Sequence, residues 1–379
     1  MAEANGRFPE NPRRIVVKVG TNVLTAGTSR LNLEVMAGLV GQIAALHRAG
    51  RQPILVTSGA IAAGRQRLGV RRDRRDIPFR QVMAAVGQSR LMYAYDLLFG
   101  WHDIVIAQTL LTRADLADRG RYLNARNTLL ALLDLGVVPI VNENDVVAVD
   151  EIRETRFGDN DTLSALVANL VDADLLIILT DIAGLYTADP KVCPDARLIP
   201  VVERVDEQVE AAAGGVGSER GTGGMATKVQ AAKLATAGGT AVVIADGREP
   251  NIVLRVVAGE PIGTRFLPAA TRLESRKRWM LSGLSTRGEV IVDAGAVEAL
   301  RSRGKSLLPA GVREVRGDFD RGDVVNLVGP DGEVIGCGIV NYSAADLGKI
   351  KGVKSERIGQ ILGYAYGAEV IHRNNLVLF

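Results

Sequence analysis

The sequence predicts an α/β fold in which helices sandwich a mostly parallel sheet, followed by a small, mostly β domain. As far as Ala245, short apolar runs alternate with helix-forming segments, a pattern typical of parallel sheets that are covered on both faces. From Gly288 onward, short strands separated by glycine turns replace that alternation. The chain has 379 residues and 47% of them are hydrophobic, so two domains with packed cores are expected.

Short apolar runs, most of them rich in β-branched residues, predict the strands of the first domain. In chain order they are residues 14–19, 53–57, 104–108, 137–141, 175–180 and 240–245. Longer segments between these runs predict the helices, and Gly50 and Gly136 are expected to end two of them. The helices are expected at residues 32–49, from 60 onward, at 78–99, 122–135, 161–171 and 225–237.

Residues 1–262 are expected to form the first domain, residues 263–284 a linker, and residues 285–379 the second domain. Glycine turns and β-branched runs predict the strands of the second domain. These strands are residues 289–292, 324–328, 334–340 and 370–378. Asp331 and Gly332 predict a hairpin turn between two of them.

The composition favours a protein of a reducing, cytoplasmic compartment. The two cysteines, Cys193 and Cys337, lie far apart and lack the spacing of a metal site. Residues 1–14 are polar without the apolar core of a signal peptide, and no apolar run approaches membrane-spanning length. The net charge is only +3, which argues against a general binder of polyanions.

Residues 221–228, GTGGMATK, predict a phosphate-binding loop. Three glycines free backbone N–H groups ahead of a helix whose N-terminus adds unpaired donors and a positive dipole end. Lys228 lies in the first turn of that helix, where its ammonium group reaches the same anion. The loop is not a Walker A motif, because Val229 follows the lysine. An ordinary surface loop is the alternative.

Lys18 lies at the end of the first apolar strand, with only Val19 between it and the turn at Gly20. Burying a lysine in a strand is costly unless it meets an anion. Together with Lys228, it supplies two cations that can bracket a transferring phosphoryl group. A lysine that reaches solvent from an edge strand is the alternative.

Polar motifs follow several other predicted strands, at the edge of a parallel sheet where ligands bind. They are Ser58 with Gly59, NEND at residues 142–145, and FGDND at residues 157–161. Turns and helix caps explain some of these residues, but more carboxylates and amides are present than one cap needs. No G-x-S-x-G motif surrounds Ser58, so a nucleophilic serine is not expected.

The three histidines, His47, His102 and His372, lie outside all of these motifs. A reaction that needs a strong general base is therefore not favoured. An acceptor that is already ionised at neutral pH, such as a carboxylate with a pKa of about 4.3, needs none.

Six motifs, in this order along the chain, resemble those of the glutamate 5-kinases, a group within the amino acid kinase family. They are VVKVGT (16–21), TSGAIAAG (57–64), VNEND (141–145), FGDND (157–161), TDIAGLYTADP (180–190) and GTGGMATK (221–228). Thr57 stands where that group commonly has serine. Residues 285–379 resemble a PUA domain, which many bacterial members carry.

The resemblance implies ATP-dependent phosphorylation of the γ-carboxylate of L-glutamate, the first step of proline biosynthesis from glutamate. Lys18 and Lys228 would stabilise the transferring phosphoryl group, with Asp161 orienting both, and Ser58 with Asp145 and Asn160 would bind glutamate. The nucleotide-binding residues it implies are Lys18, Thr180, Asp181, Thr222, Gly223, Gly224, Met225, Ala226, Thr227 and Lys228.

The same resemblance implies Mg²⁺ as the metal ion, without assigning ligands to it, and L-proline as a feedback inhibitor. It also implies a homo-oligomer, either a tetramer or a dimer, and a possible hand-off of the product to glutamyl phosphate reductase. No membrane partner is implied.

Several alternatives stay open at this point. Aspartokinase, acetylglutamate kinase, carbamate kinase and UMP kinase share the fold, and residues 142–145 and 157–161 favour glutamate over their substrates. An RNA-binding protein with a vestigial kinase half is a different class, but residues 276–379 have only a slight excess of basic residues. The arginine-rich run at residues 71–75 favours a solvated loop over a nucleic-acid or protein interface.

Overall fold

The structure, a computed structural model, describes residues 8–70, 76–148, 160–214, 224–269 and 286–379. The chain divides into two compact units. The first comprises Met1–Leu116 and Ala125–Arg272, and the second comprises Ala117–Asn124 and Leu273–Phe379. The domain boundaries expected at residues 262 and 285 stay predictions, because residues 270–285 lie outside the described part of the chain.

Within the described residues, eight strands of the first unit form one sheet in the order β3-β4-β2-β1-β5-β7-β8-β6. Neighbouring strands run parallel, except for the antiparallel pair of β7 and β8. The strands are β1 (Arg14–Val19), β2 (Gln52–Thr57), β3 (Ile106–Leu111), β4 (Val138–Glu143), β5 (Leu175–Thr180), β6 (Val201–Val202), β7 (Ala241–Asp246) and β8 (Thr264–Phe266).

Helices cover both faces of this sheet, which confirms the predicted α/β class. They are α1 (Thr21–Leu24), α2 (Leu33–Arg48), α3 (Ala60–Leu68), α4 (Ile77–Gly100), α5 (Arg113–Ala117), α6 (Arg119–Asp134), α7 (Asn160–Leu170), α8 (Glu207–Ala212), α9 (Met225–Ala237) and α10 (Ile252–Val257). The main core includes Val17 and Val19 of β1, Ile43 of α2 and Leu91 of α4.

Two glycines bring α3 and α4 into unusually close contact. A Cβ atom at Gly87 would lie 1.7 Å from the carbonyl oxygen of Ala60, and one at Gly64 would lie 1.9 Å from that of Met83. Neither position can hold a larger residue without moving a helix. This close approach fixes where α4 presents the residue after Gly87, which is Gln88.

The strand expected at residues 104–108 lies two to three residues later, at Ile106–Leu111. It is the edge strand of the sheet and is only partly buried, so polar Gln108 and Thr109 fit within it. The prediction depended on a continuous apolar run, and an edge strand does not require one.

The second unit contains a five-stranded sheet in the order β10-β9-β11-β12-β13 within the described residues. The strands are β9 (Gly288–Val292), β10 (Val312–Gly317), β11 (Val324–Val328), β12 (Val334–Ile339) and β13 (Leu376–Leu378). The helices of this unit are α11 (Ala294–Arg303), α12 (Ala344–Ile350) and α13 (Ile358–Leu362).

The predicted hairpin joins β11 and β12, and Gly332 in its turn has a φ of +83°. The sequence reading missed β10, because exposed charged residues such as Arg313, Glu314 and Arg316 hide its strand pattern. Of the strand expected at residues 370–378, only Leu376–Leu378 forms.

A short piece from the middle of the chain belongs to the second unit. Leu123 is fully buried in a cluster with Val324, Cys337, Ile339 and Val377. Asn124 accepts a hydrogen bond of 2.6 Å from the Arg321 guanidinium. The core of this unit is therefore completed by residues that precede it by about 200 positions.

Among the residues that the structure describes, no helix combines the length and the apolarity that crossing a membrane requires.

Candidate active site

Lys18 lies near the middle of the sheet, where β1 pairs with β2 on one side and with β5 on the other. The edge-strand alternative for this lysine is therefore wrong. Its neighbours Val17 and Val19 join the main core, so the alternation of a strand places Lys18 on the opposite face, toward α7. Its side chain is only 1% exposed.

The Asp161 carboxylate holds both lysines that the sequence singled out. Lys18 Nζ lies 2.6 Å from Asp161 Oδ1, and Lys228 Nζ lies 3.1 Å from Asp161 Oδ2. Asp161 is completely buried in the first turn of α7, where a negative charge also suits the helix dipole. Two residues 210 positions apart thus meet at one carboxylate.

The charges around Asp161 decide its protonation. Burial alone would raise the pKa of this carboxyl group, but the ammonium groups of Lys18 and Lys228 outweigh burial and hold the pKa well below its usual range. Asp161 is therefore ionised at every pH at which the protein is expected to work.

Lys228 is 5% exposed and lies in the first turn of α9, which spans the predicted Met225–Ala237. Gly224 precedes the helix in an extended conformation, as its N-cap. The Thr227 hydroxyl lies 3.0 Å from Asp161 Oδ2 and 2.8 Å from the Gly224 carbonyl oxygen. Thr222 and Gly223 lie outside the described residues, so the loop itself stays a prediction.

Asn160 forms a second hydrogen-bonded group beside Asp161. Its Nδ2 donates to the Thr57 carbonyl oxygen at 2.6 Å, to Asn142 Oδ1 at 2.9 Å and to Ser58 Oγ at 3.1 Å. Asn142 in turn donates to Gln88 Oε1 at 2.8 Å. The ends of β2 and β4 and the start of α7 therefore meet at this point.

The donors of Asn160 are all used, whereas its Oδ1 is buried and accepts no hydrogen bond within the described part of the chain. A buried acceptor without a donor is unfavourable unless a ligand supplies one. The free atom of Asn160 is thus suited to a donor such as an ammonium group rather than to a carboxylate.

Asp145 lies on the turn after β4, two residues beyond Glu143, rather than in the hydrogen-bonded group around Asn160. Burial raises the pKa of Asp145 to about 6, although the positive charge of Arg80 opposes that rise. A carboxyl group with this pKa gains its charge just below neutral pH.

Thr180 and Asp181 follow at the end of β5. Asp181 accepts hydrogen bonds from the Asn22 amide at 3.1 Å and from the Thr180 hydroxyl at 3.2 Å. Its carbonyl oxygen accepts one from Arg248 at 2.8 Å. Burial alone would raise the pKa of the Asp181 carboxyl group. The hydrogen bonds from Asn22 and Thr180 and the charge of Lys228 outweigh burial, so this pKa lies below its usual value. The positive charge of Lys228 therefore lowers the pKa of both Asp161 and Asp181.

The structure thus brings together Lys18, Asp161 and Lys228 as one group and Ser58 with Asn160 as another. Asp145 lies on the turn after β4, and Thr180 with Asp181 lies at the end of β5. The sequence reading did not single out Asn142 or Gln88 for this site. Asn142 was inside a motif that signalled ligand binding, but Gln88 carried no signal, since a glutamine within a helix is ordinary. The first three residues of FGDND, 157–159, and the arginine run at 71–75 lie outside the described residues.

Comparison with known proteins shows which family the chain belongs to. Residues 13–246 match the model of the amino acid kinase family, which is more than half of the chain. The chain belongs to the amino acid kinase family. Residues 288–362 of this amino acid kinase match the PUA domain, which confirms the resemblance of the second domain.

Curated relatives match this amino acid kinase over almost its whole length. A protein of Herpetosiphon aurantiacus named glutamate 5-kinase is 59% identical, covering 97% of this chain and 98% of the relative. One of Deinococcus radiodurans with the same name is 54% identical, covering 96% of this chain and 99% of the relative. Among solved structures, UMP kinase from Bacillus anthracis has a TM-score of 0.47 and 16% identity, covering 69% of this chain and 98% of that one.

Proposed function

We propose that the chain phosphorylates the γ-carboxylate of L-glutamate with ATP and yields L-glutamyl 5-phosphate, the first step of proline biosynthesis from glutamate. The observation that carries this proposal is the meeting of Lys18 and Lys228 at the buried Asp161 carboxylate. The names of relatives at 54–59% identity support glutamate as the acceptor.

The reaction needs alignment and charge neutralisation more than proton transfer. The glutamate γ-carboxylate is ionised at neutral pH, so its oxygen attacks the γ-phosphorus of ATP directly, without a general base. The bond from phosphorus to the ADP oxygen breaks as the new bond forms, with no covalent enzyme intermediate. Lys18 and Lys228 stabilise the charge on the moving group, and Asp161 holds both ammonium groups in place.

Glutamate is held by groups at the ends of β2 and β4 and at the start of α7. Asn160 Oδ1 accepts from the substrate ammonium group, and Asp145 supplies the opposite charge. Ser58 offers a hydroxyl group to the α-carboxylate, because Gly59, with a φ of +100°, turns the chain sharply into α3.

ATP would enter as its Mg²⁺ complex and bind along Thr180, Asp181, residues 222–226 and Lys228. Kinases commonly hold Mg²⁺ by one or two carboxylates together with the phosphates of the substrate. Among the described residues, no cluster of three or more His, Cys, Asp or Glu side chains is placed to hold a resident metal ion.

A substrate panel tests the proposed function. Purified protein with MgATP is offered L-glutamate, L-aspartate, N-acetyl-L-glutamate, carbamate or UMP, and ADP release is followed by a coupled assay. We expect turnover with L-glutamate, and hydroxylamine should trap its acyl phosphate as the hydroxamate. Faster turnover with any other acceptor would replace glutamate in the proposal.

Replacing Asp145 with alanine should raise the glutamate KM more than the ATP KM, because the substrate ammonium group loses its opposite charge. Asp145→Asn is the matched variant, since it keeps the size of the side chain. Steady-state kinetics in both substrates provide the measurement, and equal effects on the two KM values would count against amino-acid binding at Asp145.

The raised pKa of Asp145 also predicts a pH dependence. The ammonium group binds the ionised carboxylate, so binding is full above the pKa and weakens as pH falls through about 6. Below that value the glutamate KM should rise by about tenfold per pH unit, while the ATP KM stays nearly constant. In Asp145→Asn the glutamate KM should be higher throughout and lose this dependence. A wild-type glutamate KM that is flat between pH 5 and 8 would contradict the role.

The remaining expectations belong to this proposal as well: a cytoplasmic location, inhibition by L-proline, transfer of the product to glutamyl phosphate reductase, and a homo-oligomer. An apolar face formed by the C-terminal half of α4 and by Trp101, its C-cap residue, supports the homo-oligomer. Tyr93, Leu97 and Trp101 follow one another at four-residue spacing and are 59%, 46% and 67% exposed. A second copy of the chain can cover such a face in a symmetric, isologous contact.

A further inference from the structure

The Thr227 hydroxyl is the third donor group at the Asp161 carboxylate. Thr227 Oγ1 lies 3.0 Å from Asp161 Oδ2, the oxygen that also accepts from Lys228 at 3.1 Å. Thr227 is only 7% exposed, so its hydroxyl group is largely shielded from solvent. The same hydroxyl lies 2.8 Å from the Gly224 carbonyl oxygen.

A hydroxyl group carries one hydrogen, so the two acceptors compete for it. Asp161 is ionised, since its pKa is held below the usual range, whereas the Gly224 carbonyl is neutral. Hydrogen bonds to a charged acceptor are about twice as strong as those between neutral groups. The Thr227 hydroxyl therefore donates mainly to Asp161.

We propose that Thr227 is a positioning residue, which acts on the reaction through Asp161 rather than by touching the nucleotide. The torsion about the Cβ–Cγ bond of an aspartate is broad, and the attraction between an ammonium group and a carboxylate depends little on direction. Two ion pairs alone therefore leave the Asp161 carboxylate some freedom to rotate. The Thr227 hydroxyl, donated from the first turn of α9, restricts that rotation. With Thr227 in place, Oδ1 stays directed at Lys18 and Oδ2 at Lys228.

This inference rests on the proposed phosphoryl transfer, and it differs from the nucleotide contact that the family resemblance implies for Thr227. A ligand of the phosphates would change the affinity for ATP when it is removed. A residue that positions Asp161 would instead change the alignment of both lysines, and so the rate of the chemical step. A nucleotide contact would therefore show in the ATP KM, and a positioning role in kcat.

The experiment compares Thr227→Val, which keeps the shape and loses the hydroxyl group, with Thr227→Ser, which keeps the hydroxyl group. In steady-state assays with glutamate and MgATP, Thr227→Val should lower kcat by about tenfold, the usual effect of one hydrogen bond to a charged group. Both KM values should stay within about twofold of wild type, and Thr227→Ser should recover most of the rate.

Three outcomes would overturn the inference. These are a near-normal kcat in Thr227→Val, a raised ATP KM with an unchanged kcat, and a Thr227→Ser variant as slow as the valine variant. If Thr227→Val does not fold, comparing Thr227→Cys with Thr227→Ser makes the same test, because a thiol is a weaker donor than a hydroxyl group.

The failure of this inference can be told apart from the failure of the proposed function. A wild-type protein without glutamate-dependent turnover would overturn both. A wild-type protein with normal turnover and an unaffected Thr227→Val variant would overturn only the inference.

Discussion

Lys228→Ala is expected to lower kcat for glutamate phosphorylation by about 10²–10³, the usual loss when one preorganised donor to a transition state is removed. The ammonium group of Lys228 is placed on Asp161 before the substrate arrives, so it needs no reorganisation during the reaction. The fold should be little affected, because Asp161 keeps its pair with Lys18 at 2.6 Å.

Lys233→Ala is the matched control for this variant. Lys233 lies on the same helix, is 52% exposed in its side chain and pairs with Glu210 rather than with Asp161. Its replacement should leave kcat unchanged. A near-normal kcat in Lys228→Ala, measured at saturating glutamate and MgATP, would remove Lys228 from the chemical step.

Asp161→Asn should be the most destabilising single substitution in this site. It leaves two buried ammonium groups, those of Lys18 and Lys228, without the carboxylate that holds them. Removing one partner of a buried ion pair commonly lowers the free energy of unfolding by about 3–5 kcal/mol. Turnover should fall with it, because neither lysine keeps its orientation toward the phosphoryl group.

The stability loss in Asp161→Asn should become smaller as the pH is lowered. The folded-state pKa of Asp161 is depressed, so its ionisation stabilises the fold above the unfolded value of 3.8, and this contribution fades as pH falls below that value. The difference between wild type and variant should therefore be full at pH 7 and shrink below about pH 4.

Urea unfolding at pH 7 provides the measurement, and Glu260→Gln is the control for an exposed pair. Glu260 pairs with Arg255 at the surface, and such pairs are worth about 0–1 kcal/mol. If Asp161→Asn unfolds at the same urea concentration as wild type, the two lysines do not depend on Asp161 for their charge balance.

The sequence predicted several elements of the first unit with their bounds. Residues 14–19 and 175–180 form strands with the predicted bounds, and 225–237 is a helix with the predicted bounds, because buried strands and helix ends leave strong local patterns. The family resemblance had named Asp161 beside Lys18 and Lys228. The distances that join them depend on three elements packing together, and no local pattern encodes those distances.

The rest of the site lacked such local signals. Gln88 reaches Asn142 only because Gly87 lets α4 approach α3 closely, a tertiary effect that a single helix does not reveal. Thr227 belonged to a glycine loop that predicted phosphate binding, and only the fold shows its hydroxyl directed at Asp161. In the second unit, the charged strand β10 resembled a loop for the same reason, since its pairing and not its composition defines it.

One measurement tests the central claim most directly: a crystal structure of the protein with L-glutamate, MgADP and a tetrafluoroaluminate mimic of the moving phosphoryl group. We expect the Nζ atoms of Lys18 and Lys228 both to lie within about 3 Å of the mimic, on either side of it. A mimic that contacts only one of these lysines, or that lies beyond the reach of both, would contradict the account.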